Sequence, residues 1–173
     1  MPANVCYHID FYSGLYRSNS FSDYSRLQTS PPYLIDETDL LFDFITAVQD
    51  GDILCGKNKP SWTNRNGEEM LHLLGYKASG LWHYHIGPYT SSSPAYLSKK
   101  IREINLDGLT SAAAVHYRWY NRQNMNKIII LAFSPIHQPF PGLLDKPNHL
   151  KSRSGLILNN QMINHSANKL PEK

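Results

Sequence analysis

His83 and His85 stand two residues apart in Leu81-Trp82-His83-Tyr84-His85-Ile86-Gly87-Pro88-Tyr89. Side chains of a β-strand alternate between faces, so both imidazoles point one way and Trp82, Tyr84 and Ile86 the other. An apolar core accounts for the second set and not for the first. Paired imidazoles suit acid–base chemistry, metal binding or anion binding. A second run, Val115-His116-Tyr117-Arg118-Trp119-Tyr120, repeats the pattern: His116, Arg118 and Tyr120 share a face. If the two strands pair, His83, His85, His116, Arg118 and Tyr120 line one surface, and Ser134-Pro135-Ile136-His137 brings His137 to its rim. Lys99, Lys100 and Arg102 are placed to flank this patch, and Arg122 lies in the hairpin loop beyond it.

Cleavage of an RNA phosphodiester needs such groups. A base takes the proton of the ribose 2′-hydroxyl and an acid protonates the leaving 5′-oxygen; histidine titrates where it can do either. A fixed cation such as Arg118 stabilises the charge of the transition state. Tyrosines stack on splayed bases, and Lys99, Lys100, Arg102 and Arg122 hold flanking phosphates. No metal and no cofactor is required. A metal site competes for the same residues, since His-x-His on a strand supplies two ligands and His116 or His137 a third. Cupin-type enzymes use that arrangement with a glutamate a few residues on. Here the next acidic residue after His85 is Glu103, and Arg118 faces the same patch, so the sequence reading disfavours a cation. A third possibility is a non-catalytic face that binds nucleic acid or protein.

The elements that must position these groups follow from local pattern. Val5–Phe11 reads as a strand. Asp36 is an N-cap, Glu37 and Asp39 place negative charge in a first turn, and Leu40, Leu41, Phe44, Ile45 and Val48 recur at helical spacing until Gly51. A short helix is expected over Gly67–Leu74 and another over Tyr96–Ile104. Strands are expected at Leu81–Ile86, Ala113–Tyr120 and Lys127–Phe133, the last two joined by a hairpin loop at 121–126. A terminal helix is expected over Leu156–Ile163. The sum is an α+β domain: a small curved antiparallel sheet packed by an N-terminal helix, one face partly open, with an insertion between strands at 88–112. A domain at 1–141 with its core at 36–141 is then followed by a C-terminal extension at 142–173.

Charge is distributed unevenly. Residues 1–50 carry two basic against seven acidic side chains, whereas residues 51–173 carry fifteen against seven. The basic part holds most of the histidines, and such a field attracts polyanions, of which nucleic acid is the commonest in cytoplasm. Cys6 and Cys55 are too few for a disulfide framework, which suggests a reducing compartment. No basic patch followed by an apolar run opens the chain, and its most apolar run, Ile128–Phe133, is far too short for a bilayer. A cytoplasmic protein without a membrane partner is expected.

Four segments resemble the RelE/ParE toxin superfamily, most closely its YafO-like branch. They are the helix Leu40–Val48 with Asp50-Gly51-Asp52-Ile53-Leu54-Cys55-Gly56-Lys57, then Gly80-Leu81-Trp82-His83-Tyr84-His85-Ile86, then Val115-His116-Tyr117-Arg118. The last is Ile128–Phe133 with Ser134-Pro135-Ile136-His137. Together they cover roughly residues 36–141. The resemblance implies a compact sheet packed by N-terminal helices and an mRNA endonuclease, often acting on the ribosome, held in check by a protein antitoxin. It carries over His83, His85, His116 and His137; Arg118 and Tyr120 rest on the strand-face argument. The stretch 88–112 and the tail after 141 are longer than a minimal toxin of this kind.

Overall fold

The computed structural model describes residues 1–28, 36–54, 57–87 and 113–164. Strand β1 (Asn4–His8) buries Val5 and Tyr7 on one face and Cys6 on the other. It is shorter than the expected Val5–Phe11, because His8 Nδ1 accepts from the Asp10 N–H at 3.1 Å and caps a single helical turn, α1 (Ile9–Tyr12). Helix α2 (Glu37–Asp50) begins and ends as the sequence predicts. Asp36 Oδ1 accepts from the Thr38 N–H at 2.7 Å, and Gly51, at φ 76°, closes the C-terminus with its N–H on the Ala47 carbonyl. Leu40, Leu41, Phe44 and Ile45 are its buried stripe.

Strand β2 (Asn58–Pro60) is brief. The expected helix over Gly67–Leu74 lies later in the chain, as a 3-10 turn at Leu71–Leu73 running into α3 (Leu74–Ser79), which Gly80 ends at φ 64°. Strands β3 (Leu81–Gly87), β4 (Ala113–Trp119) and β5 (Lys127–Ser134) fall close to their expected positions. The terminal helix expected over Leu156–Ile163 is absent. That segment makes a 3-10 turn at Asn159–Gln161 and a short strand, β6 (Met162–Asn164), because β1 offers an unpaired edge on which its backbone groups are satisfied.

One sheet results, in the order β2-β3-β4-β5-β1-β6. It is antiparallel throughout except where β1 runs parallel to β5, with Val5 beside Ile128 and Tyr7 beside Ile130. The purely antiparallel sheet expected from sequence is corrected at that junction. Strand β5 carries a bulge: His116 pairs with Ala132 but Tyr117 with Ile130, leaving Leu131 unpaired. The extra residue sends both Leu131 and Ala132 to the face opposite α2, where strict alternation would divide them.

Both faces are covered. Helix α2 packs Phe44 against Tyr84 (ring centroids 5.0 Å, nearly parallel) and Tyr117 (5.7 Å), with Val5, Val115, Ile128 and Ile130 around them. The opposite face, expected to be partly open, is roofed by Phe21, Phe140, Leu150 and Ile157 over Cys6, Ile129 and Leu131. A buried ion pair secures this roof. Arg153 Nη2 donates to Asp23 Oδ1 at 2.6 Å and to the Asp10 carbonyl at 3.1 Å, while Nη1 reaches the Leu131 carbonyl at 3.0 Å. The stretch 142–157 therefore packs as part of the domain. Among the described residues no helix is long and apolar enough to cross a membrane.

Candidate active site

On the roofed face β3 and β4 place His83 directly opposite His116. Alternation along β3 puts His85 beside His83, their ring centroids 5.3 Å apart. The turn after β5 then brings His137 over both, at 4.2 Å from His85 and 5.8 Å from His83. That turn is held at two points. The Gln138 N–H donates to Ser134 Oγ at 2.8 Å, and His116 Nε2 donates to the Gln138 carbonyl at 3.0 Å. Between them His137 adopts φ 54°, a left-handed conformation that a non-glycine residue occupies at a cost of about 1 kcal/mol or more.

The four imidazoles border a cavity of about 350 Å³. Edge strand β2 supplies its cationic side: Lys59 pairs in register with His83, and its Nζ donates to the Thr63 carbonyl. Lys57 lies beside it and its carbonyl accepts from the His85 N–H at 2.8 Å. Ser61 Oγ is 2.9 Å from His83 Nδ1, which orients that ring. His116 and His85 are buried, whereas His83 and His137 are partly exposed at the mouth.

Electrostatics keep His83, His116 and His137 neutral. Burial, then the neighbouring His116, His85, His137 and Lys59, push His83 down to about 2. Burial pushes His116 down to about 3 against the opposing effect of its hydrogen bond to Gln138. His137 is lowered by burial and by the Lys59 charge, and Lys59 itself is lowered by burial and by Lys57. Near neutral pH the cavity therefore offers imidazole lone pairs beside ammonium groups.

Of the residues singled out from sequence, His83, His85, His116 and His137 come together. Arg118 and Tyr120 do not join them. Arg118 shares the sheet face but its Nη1 donates to the Gly155 carbonyl at 2.6 Å, away from the histidines. A cavity of about 420 Å³ lies between, sharing Tyr76 and Phe140 with the histidine cavity and Arg118 with a broad groove of about 1000 Å³. Tyr120, Arg122 and Lys77 line that groove as well. Tyr120 Oη donates to Asn159 Oδ1 at 2.8 Å, and Arg122 Nη2 donates to the Lys77 carbonyl. Lys99, Lys100, Arg102 and the helix expected around them lie outside the described residues.

Sequence reasoning did not single out Lys59 or Ser61. The only signal was the basic, turn-forming character of 55–67; a three-residue strand shows no periodicity from which to read a face.

The class that fold and site define is a mixed α+β protein built on one open, mostly antiparallel six-stranded sheet, with an imidazole-lined cavity on the face away from its long helix. Comparisons with protein-family models, curated proteins and solved structures returned no match.

Proposed function

We propose that the histidine cavity is a phosphodiester-cleaving centre and that the chain is an mRNA endonuclease of the kind the RelE/ParE resemblance implies. On this reading it is a toxin of the cytoplasm, restrained by a protein antitoxin and acting on RNA either free or on the ribosome. The observation that carries the reading is the meeting of four imidazoles with Lys57 and Lys59 in one cavity on a basic part of the chain.

The partly exposed rings, His83 and His137, are the groups that reach a substrate. His137, the most exposed of these rings, accepts the 2′-hydroxyl proton through a ring nitrogen, while the Ser61 contact on Nδ1 of His83 orients that second ring toward the phosphate. The 2′-oxygen bonds to phosphorus, the bond from phosphorus to the 5′-oxygen breaks, and a 2′,3′-cyclic phosphate forms. The leaving oxygen takes its proton from Lys59, whose lowered pKa makes it a better acid than an ordinary ammonium group. Lys57 and Lys59 together offset the charge on the phosphorane-like transition state, the part that sequence reasoning gave to Arg118. His116 acts through the Gln138 carbonyl and positions the turn that bears His137. Arg118, Tyr120, Arg122 and Lys77 offer cations and a ring for the flanking strand.

Purified protein incubated with mRNA in EDTA, with and without ribosomes, tests this directly. Fragments ending in 2′,3′-cyclic phosphate are expected. Intact RNA in both settings, with the protein shown to be folded, removes the nuclease.

A further inference from the structure

We propose that His83, His85 and His137 form a three-imidazole site for a borderline divalent cation, with Zn²⁺ as its reference ion. The proposal goes beyond the nuclease reading and stands without it. One ring nitrogen from each residue lies within 4.8 Å of the other two. Zn–N bonds of about 2.0–2.1 Å place the nitrogens of a tetrahedral site roughly 3.4 Å apart. Closing that difference takes small rotations of side chains, and His137, partly exposed on a surface turn, is the ring with room to turn.

Three further features fit a ligand set rather than a chance cluster. The Ser61 hydroxyl on His83 Nδ1 is the outer partner a ligating imidazole requires on its second nitrogen, and it leaves Nε2 for the ion. The turn carrying His137 is clamped from Ser134 and His116, and it holds His137 in a conformation most residues avoid. The cluster borders a cavity and supplies three protein ligands, the number that catalytic rather than structural zinc sites use, with water or an anion as the fourth.

The donor set also selects the ion. No carboxylate lines the cavity among the described residues, and two lysines border it. Mg²⁺ and Ca²⁺, which need oxygen ligands, are excluded on that chemistry. Zn²⁺, Co²⁺, Ni²⁺ and Cu²⁺ accept imidazole, and the adjacent ammonium groups favour an anionic fourth ligand. Where the nuclease reading holds, ion and substrate compete for the same ring nitrogens, so stoichiometric Zn²⁺ added after the EDTA has been removed inhibits the cleavage.

The test is a Co²⁺ titration of the full chain stripped with EDTA, read by the visible absorption of tetrahedral Co²⁺, with Zn²⁺ displacement following. One ion per chain is expected. His85→Ala and His137→Ala should each weaken binding by at least about tenfold through loss of one of three ligands. His149→Ala, whose ring stacks on Tyr16 away from the cavity, should leave it unchanged. Absence of stoichiometric binding to protein that is folded by circular dichroism overturns the proposal, as does binding indifferent to His137→Ala. Binding without RNA cleavage removes the nuclease alone; cleavage without binding removes the metal site alone.

Discussion

His116 and His83 face each other across β4 and β3, yet they do different work. Ring centroids 6.2 Å apart, one is buried with Nε2 committed to the Gln138 carbonyl, and the other reaches the cavity mouth with Nδ1 on Ser61. The pair thus joins the sheet to the turn of His137 through one ring and to the cavity through the other.

The left-handed backbone at His137 should be visible in stability. His137→Gly relieves the conformation and His137→Ala does not, so the glycine variant should be more stable by about 1 kcal/mol in urea unfolding. Both should lose RNA cleavage by about 100-fold or more, since the ring is gone from each. Equal stabilities would show that the turn stores no strain.

Lys59 should affect both rate and pH profile. Lys59→Met removes a cation beside His83 and His137, so kcat should fall by about 100- to 1000-fold. The same change lifts the pKa of both imidazoles, moving the acid limb of kcat/KM to higher pH. A lysine that only braced the Thr63 carbonyl would leave that limb in place.

The groove beyond Arg118 should govern RNA affinity and its dependence on salt. Arg118→Ala and Arg122→Ala should raise KM with kcat little changed. Each should reduce the slope of log affinity against log salt by about 0.7, as for one phosphate contact on a single strand. Slopes equal to wild type would place the RNA elsewhere.

Acid should destabilise the metal-free protein earlier than carboxylate titration alone would. His116 is lowered from 6.5 to about 3 by burial, with His85 and His137 opposing its charge; His8 is lowered too, mainly by burial. Between those values the unfolded chain binds a proton that the folded chain refuses, so stability falls as pH drops below 6.5. His116 alone should contribute a loss of about 2 kcal/mol by roughly pH 5. Urea midpoints measured in EDTA across that range provide the check, and a flat profile would contradict the burial of a neutral ring.

The Arg153–Asp23 pair should be essential to the roof. Arg153→Ala leaves the Asp23 carboxylate buried without its guanidinium, at a cost of about 3–5 kcal/mol. Gly14→Ala should damage the same junction, because a Cβ there would lie 2.1 Å from Asp23 Oδ2 and 2.2 Å from the Asp10 carbonyl. Thermal unfolding of the two variants measures both effects, and a loss under about 1 kcal/mol for Arg153→Ala would mean that the pair is not buried as described.

Whatever depends on near neighbours could be read from the chain itself. Asp36, the apolar spacing of Leu40–Ile45 and Gly51 bound α2 at both ends, because capping and the period of a helix are local properties. Alternation put His83 and His85 on one face of β3, and His116 with Arg118 on one face of β4. That the two strands pair with His83 opposite His116 was only a condition in the sequence and is a finding of the structure. Tertiary structure alone decided the rest. The parallel docking of β1 on β5, the bulge at Leu131 and the roof of 140–157 arise from contacts distant in sequence, and strand periodicity says nothing about which edge a strand will find. The same holds at the site. Pairing of β2 brought Lys59 and Ser61 to the imidazoles, while the bond to Gly155 drew Arg118 away from them. Sequence therefore told which face bears the histidines; the long-range register told which cations stand beside them.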